Sequence, residues 1–243
     1  MSIIVLINII IVNIAVWLGL SYFWSYWTHK TFKPWGWLEQ HKRKQLHTEV
    51  EKSERKYKDR VRYYTYFFAM QQVEQQEVEG EFVLLGLEEP ELIRLLRKQC
   101  PQRTIHAAGV MEPTNYTIVR ENCQGEVSEE VVPIDYASET VVRSILPSTD
   151  TKNKVYKCMP SKMLGELSQP IALVLIDMVD YEEVLLSMKK CYELMSRGAI
   201  MIVHSYNHDW DGVRKAVDEF AATTSEGFVP VADMYGSVMM IKS

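Results

Sequence analysis

Hydrophobic and polar positions along the 243-residue chain fall into three regimes. The run IIVLINIIIVNIAVWLGLSYFWSYW, residues 3 to 27, carries no charge. At about 1.5 Å of rise per residue, a helix of that length is long enough for a hydrocarbon core of about 30 Å. Pro34 and Gly36 then break the pattern, and a second helix is predicted over residues 38 to 73, with few apolar positions before Val61. From there Tyr64, Phe67, Phe68 and Met70 thicken one side, which predicts docking on a folded domain.

Beyond Gly80 the chain alternates between short apolar runs and amphipathic segments. EFVLLGL, RTIHAAGV, KVYKCM, PIALVLIDM and GAIMIVHSY read as strands. PELIRLLRKQC, a segment near residues 137 to 146, EEVLLSMKKCYELMS and the stretch with Val213, Ala216, Val217 and Phe220 on one face read as helices. The last residues, FVPVADMYGSVMMIK, predict two strands with a turn at Met234 to Gly236. Strands separated by helices imply an α/β fold with a Rossmann-like, mostly parallel sheet, and the final pair implies an antiparallel edge. The expected organisation is an apolar anchor over residues 1–28, a basic helical arm over 29–61 and the α/β domain over 62–243. Ligands of such sheets sit at the carboxyl ends of the strands. In this chain those ends are Gly86 to Glu89, Ala108 to Met111, Asp177 to Asp180 and His204 to Asn207.

Charge sharpens the division. Residues 29 to 62 hold 11 Lys/Arg against 5 Asp/Glu, whereas the remainder holds 16 against 27. An acidic domain argues against nucleic acid as a partner. A basic segment beside an apolar helix argues for membrane lipid, each cation near anionic headgroups contributing about 1 kcal/mol. Trp17, Tyr22, Phe23, Trp24, Tyr26 and Trp27 crowd one end of the apolar run and Lys30 and Lys33 follow, so this is a single-pass anchor with the domain on the cytoplasmic or mitochondrial matrix side. A cleaved signal peptide would need a positive n-region and a small-residue cleavage site, and neither flanks the run. Asn8 and Asn13 place amides in lipid, which favours a membrane-protein partner subunit. Cys100, Cys123, Cys158 and Cys191 lie far apart, as expected of free thiols in a reducing compartment.

From Arg62 to Lys242 the order of elements resembles the macrocin O-methyltransferase (TylF-type) family of class I S-adenosylmethionine-dependent methyltransferases. The resemblance is densest in IALVLIDMVDYEEVLLSMKKCYELMSRGAIMIVHSYNHDWDGVRKAVDEF, where Asp177, Tyr181, Glu182, Gly198, Tyr206, Trp210, Gly212, Arg214, Ala216, Val217, Asp218 and Phe220 match the family pattern. It implies S-adenosylmethionine at the ends of the first two strands, and Mg²⁺ held by Asp177 and two acids at 204 and 205. It also implies a general base at 179 and an acid on the ribose hydroxyls at the end of the second strand. Of the glycine-rich turn only Gly86 remains, followed by Glu88, Glu89, Pro90 and Glu91; the ribose position is Gly109, the base position Val179, and the acid pair His204 and Ser205. One carboxylate is a poor Mg²⁺ site, and an acceptor hydroxyl without metal or base keeps its proton.

The expectation is therefore a catalytically inactive methyltransferase-like protein, with Gly86 a vestigial cofactor position, Asp177 a vestigial metal position and no bound cofactor. Such a chain would serve as an accessory or scaffold subunit of a larger membrane complex, for which a mitochondrial respiratory complex is one setting. The alternative is an active O-methyltransferase that uses S-adenosylmethionine and Mg²⁺ on a sugar or lipid-linked acceptor. His204 and Ser205 are expected to face Asp177, with a hydrogen bond or ion pair between Asp177 and His204. His204 and His208 with Asp209 and Asp211 have the residue types of a transition-metal site but straddle a strand end, so a hydrogen-bonded loop is expected. Asp180 should point away from the site, and Asp211 is expected to cap the following helix.

Overall fold

A computed structural model describes residues 3–31, 33–57, 59–87, 89–121, 127–207 and 211–243. The chain divides into two compact units, Met1–Gln45 and Leu46–Ser243.

The first unit holds α1 (Ile3–Thr31) and α2 (Trp35–Lys42). Within α1, Ile3–Trp24 is long and apolar enough to cross a membrane, and its described large apolar side chains, such as Ile3, Ile11, Trp17 and Leu20, are exposed. The Nδ2 of Asn13 donates to the carbonyl of Ile9 at 2.8 Å, within the same helix.

The second unit begins with α3 (Thr48–Lys56) and α4 (Arg60–Gln75). Two caps interrupt what reads in sequence as one continuous helix. His47 accepts from the amide of Glu49, and Asp59 accepts from the amide of Arg62, each at 3.1 Å, and both residues are extended. Helix α3 packs on α5 (Pro90–Gln99) and buries Val50, Ser53 and Glu54. Glu54 accepts from the Tyr64 hydroxyl at 3.1 Å and pairs with Arg60 at 3.4 Å, which compensates its burial. Residues from Leu46 onward, expected in the basic arm, thus pack as part of the α/β unit.

The chain then forms β1 (Glu81–Leu85), α5, β2 (Ile105–Gly109), β3 (Thr114–Glu121), β4 (Val127–Ile134), α6 (Glu139–Ile145), β5 (Asn153–Lys157), α7 (Pro160–Leu164), β6 (Ile171–Ile176), α8 (Tyr181–Leu194), β7 (Met195–Val203), α9 (Asp211–Ala221), β8 (Phe228–Pro230) and β9 (Val238–Ile241). Seven strands make one sheet in the order β5-β2-β1-β6-β7-β9-β8, parallel except for the antiparallel pairings of β9 with β7 and β8. Strand β6 is buried along its whole length, which is why IALVLI shows no polar alternation. Helix α4 packs on β6 and β7 and presents Tyr63, Tyr66, Phe67, Met70 and Val73 as core. Strands β3 and β4 form a separate antiparallel hairpin that the sequence pattern does not announce.

Strand order reverses direction between β1 and β6, and that switch point is where an open sheet leaves room for a ligand. Register fixes what stands there. Leu85 pairs with Ala108 on one side and Ile176 on the other, and Ile176 pairs with Val203. Gly86, Gly109, Asp177 and His204 therefore lie along one edge of the sheet.

Candidate functional site

Gly86 adopts φ +104°, and a Cβ there would fall on the carbonyl of Asp177. Its need for glycine comes from the close approach of two backbones. The next residue, Leu87, is in the left-handed region at φ +59°, and its carbonyl accepts from the amide of Ala137 at 2.9 Å, tying the turn to the end of the hairpin. Glu89 precedes α5 without a side-chain cap, and Pro90 supplies no N–H at the first helical position. Glu88 lies outside the described residues.

A cleft of about 300 Å³ opens between Gly86, Gly109 and Val110 on one side and Met178, Asp180 and Glu183 on the other, with Tyr116 and Tyr136 from the hairpin beside it. It lies at the strand ends where a nucleoside cofactor would be expected. Both of its carboxylates already serve helices. Asp180 accepts from the amide of Glu183 at 2.9 Å, as the cap of α8. Glu183 accepts from the Ser161 amide at 3.2 Å and hydroxyl at 2.9 Å, at the start of α7. Gly109 leaves the end of β2 without an acid, so the residues present do not fit a ribose diol. Asp180 was expected to point away; it caps α8 and lines this cleft.

The metal corner is changed more deeply. Asp177 and His204 do stand on adjacent strands, but the expected bond between them is not formed. His204 Nδ1 bonds the hydroxyl of Ser237 at 2.8 Å, its Nε2 has no hydrogen-bond partner, and the ring packs edge-on against Tyr66 at 5.2 Å. Arg62, from the first turn of α4, and Asp177 act on each other electrostatically. Arg62 is 2% exposed. Its Nε lies 3.5 Å from Asp233 and 4.0 Å from Asp59, and its guanidinium sits 4.9 Å from the ring centre of Tyr235. Burial opposes that charge, but the fields of Asp177, Tyr57 and Asp233 outweigh it and keep the guanidinium protonated above its ordinary range. Burial and the charge of Arg62 together hold His204 well below its ordinary value, so its imidazole is neutral. Ser205 sits beyond it at φ +60°, nearly buried.

Asp233 and Asp59 link the chain ends of the unit. Asp233 accepts from the Ser237 amide at 2.7 Å and hydroxyl at 2.5 Å, and Asp59 accepts from the amide of Met234 at 2.8 Å. Among the described residues no three His, Cys, Asp or Glu side chains gather into a metal-binding group. The residues present do not fit Mg²⁺, because one carboxylate with a neutral imidazole and a hydroxyl is a poor donor set for it, and the positive charge of Arg62 acts on that carboxylate. His208 and Asp209, candidates for a transition-metal site, lie outside the described residues. Asp211 is the first residue of α9 rather than its cap, where its charge still complements the helix N-terminus. Arg62, Asp233 and Ser237 are absent from any reading of the strand-end motifs, since they come from the two ends of the unit; only the mixture of charge and aromatics around Arg62 marks that segment as unusual.

The strand order, the antiparallel edge and the cleft position define the class I methyltransferase fold. No family model and no curated protein sequence matches the chain. Among solved structures, the chain is similar to the O-methyltransferase NovP, with a TM-score of 0.59 and 16% identity over 76% of this chain and 80% of that one. It is also similar to CalS11, a TDP-rhamnose 3'-O-methyltransferase of calicheamicin biosynthesis, at a TM-score of 0.53 and 14% identity over 73% and 77% of the two chains. A Corynebacterium glutamicum protein gives a TM-score of 0.53 at 9% identity over 93% and 97%. At these identities the likeness is one of fold. Two of these neighbours are O-methyltransferases, so the expectation that this chain takes no cofactor gains no support from them.

Proposed function

We propose that this chain is a membrane-tethered protein of methyltransferase fold that does not perform metal-assisted O-methyl transfer, and that it acts by binding, as an accessory subunit of a membrane assembly. One observation carries this reading: the buried Arg62 guanidinium, which interacts electrostatically with Asp177, is a fixed positive charge in the region where a metal would sit. A divalent cation would have to enter against that charge, with a neutral imidazole and a hydroxyl at 204 and 205 as further ligands. The absence of a base at Val179 agrees with it, since an acceptor hydroxyl would have no group to take its proton. The apolar span Ile3–Trp24 supports the tether, and the cations at Lys30 and Lys33 support a cytoplasmic or matrix-side domain.

The test uses the full chain in phospholipid nanodiscs. Calorimetry with S-adenosylmethionine should give no micromolar binding, and millimolar Mg²⁺ should leave the melting temperature unchanged. An upward shift with Mg²⁺ that disappears in Asp177→Asn, or methyl transfer to a sugar or lipid-linked hydroxyl, would overturn the proposal in favour of an active O-methyltransferase.

A further inference from the structure

The turn between β8 and β9 carries apolar side chains that the sheet does not use. In FVPVADMYG, residues 228 to 236, the one charged residue is Asp233, whose side chain is buried against Arg62 and Ser237. Met234 is 67% exposed and Tyr235 37%, and Ala232 is exposed before them. Two contacts fix this turn to the junction of α3 and α4. Asp59 accepts from the Met234 amide at 2.8 Å, and the Arg62 guanidinium lies 4.9 Å from the ring centre of Tyr235. Between Asp59 and Arg62 in the chain stands Val61, 38% exposed. Apolar side chains scattered singly over a surface call for no explanation, but these are gathered at one junction. The bond to Asp59 uses only the Met234 amide, so it does not ask for an apolar side chain there.

The rim of this tip is cationic. RKYKDRVR, residues 55 to 62, holds five Lys/Arg against one acid, whereas the chain from Tyr63 onward holds 16 against 27. Arg55 and Lys56 are exposed, Lys56 even with Glu91 3.9 Å away, and Arg60 reaches solvent beside its partner Glu54. The side chains of Asp59 and Asp233, the acids of the two segments, are buried.

We infer that Met234, Tyr235 and Val61 dock into the headgroup layer of the membrane that holds the anchor, with the cations of residues 55 to 62 on anionic lipid. This rests on the tether of the proposed function. An unbranched apolar side chain and a ring with one polar end suit the boundary between headgroups and acyl chains. An anionic surface attracts this rim and repels the acidic remainder of the unit, which selects one orientation. The tether keeps lipid always at hand, so a contact of a few side chains is populated that would be too weak from solution. Val238 at the start of β9 pairs with Val203 at the end of β7, so the tip lies at the carboxyl ends of the parallel strands, and docking brings that end of the sheet to the lipid.

The test uses the full chain in nanodiscs of phosphatidylcholine and phosphatidylserine, with ¹³C in the methionine methyl groups. Met234→Leu assigns the Met234 signal by its loss. Met159, also exposed but following β5 at the opposite edge of the sheet, is the reference. A lipid carrying a nitroxide at the top of its acyl chain should broaden Met234 several-fold more than Met159, and a soluble gadolinium chelate should do the reverse. Replacing phosphatidylserine by phosphatidylcholine should weaken the lipid effect on Met234 several-fold. A Met234 methyl open to the soluble chelate, as a docking face for a protein would be in lipid alone, overturns the inference. So does equal broadening with and without phosphatidylserine. Flotation with vesicles of the same lipids at alkaline pH reads the tether separately. A chain that does not float refutes the tether and this inference with it, whereas one that floats with Met234 in water refutes the inference alone.

Discussion

The clearest perturbation of this molecule is Arg62→Met, which keeps the length of the side chain and removes its charge. Arg62 is almost fully enclosed, with a side chain 3% exposed against 1% for Asp233 and 6% for Asp59. Removing the guanidinium leaves Asp233 and Asp59 without the cation they share. Breaking a buried pair from one side typically costs about 3 to 5 kcal/mol. The lower part of that range is expected, because Asp233 keeps the Ser237 amide and hydroxyl, and Asp59 keeps the amides of Arg62 and Met234. For a unit of this size each kcal/mol moves the melting temperature by about 2 to 4 °C, so a fall of roughly 6 to 15 °C should be seen by far-UV circular dichroism of the full chain in detergent micelles. Asp233→Asn added to Arg62→Met should recover part of the loss, since it removes a carboxylate that no longer has its cation. A loss below about 1 kcal/mol in the single variant, or a double variant less stable than the single, would refute the view that Arg62 stands in for a metal as the charge balancing this corner.

Acidification should test the neutral imidazole. The unfolded chain protonates His204 near the ordinary value of 6.5, while the folded chain holds the ring neutral well below that. The unfolded state therefore binds more protons below pH 6.5, and stability should fall with pH by up to about 1.4 kcal/mol per unit until the folded value is reached. His106, also lowered chiefly by burial, acts in the same direction, so His204→Gln should flatten the slope of urea stability between about pH 7.5 and 5.5 without abolishing it. Gly86→Ala places a Cβ on the carbonyl of Asp177 at a φ that L residues rarely adopt, and should cost on the order of 3 kcal/mol in thermal unfolding. An unchanged melting temperature in that variant would show that the two backbones can separate.

Some of this was written in the local pattern. An uncharged run with aromatics at one end and cations after it makes a candidate span by length and composition alone, and IALVLI reads as a fully buried strand because both faces of a parallel sheet are covered. The adjacency of Asp177 and His204 also follows from sequence, since parallel neighbours end side by side. The missing acids at Gly109, Val179, His204 and Ser205 are visible without coordinates, because they are departures at positions the motif defines. The helix breaks at His47 and Asp59 were not legible, because a His or an Asp caps only when the chain around it turns extended. The hairpin Thr114–Ile134 was missed because its pairing joins segments that carry no strong alternation. Above all, the fate of Asp177 was decided by tertiary structure. Arg62 reads in sequence as one more cation in a basic segment, and Asp233 and Ser237 as residues of a terminal turn. Only the docking of α4 against β6 and β7, with the closing turn of the sheet beside it, brings that charge to the inherited carboxylate. Burial then makes the arrangement matter, because an ion removed from water must find its counter-charge within the protein.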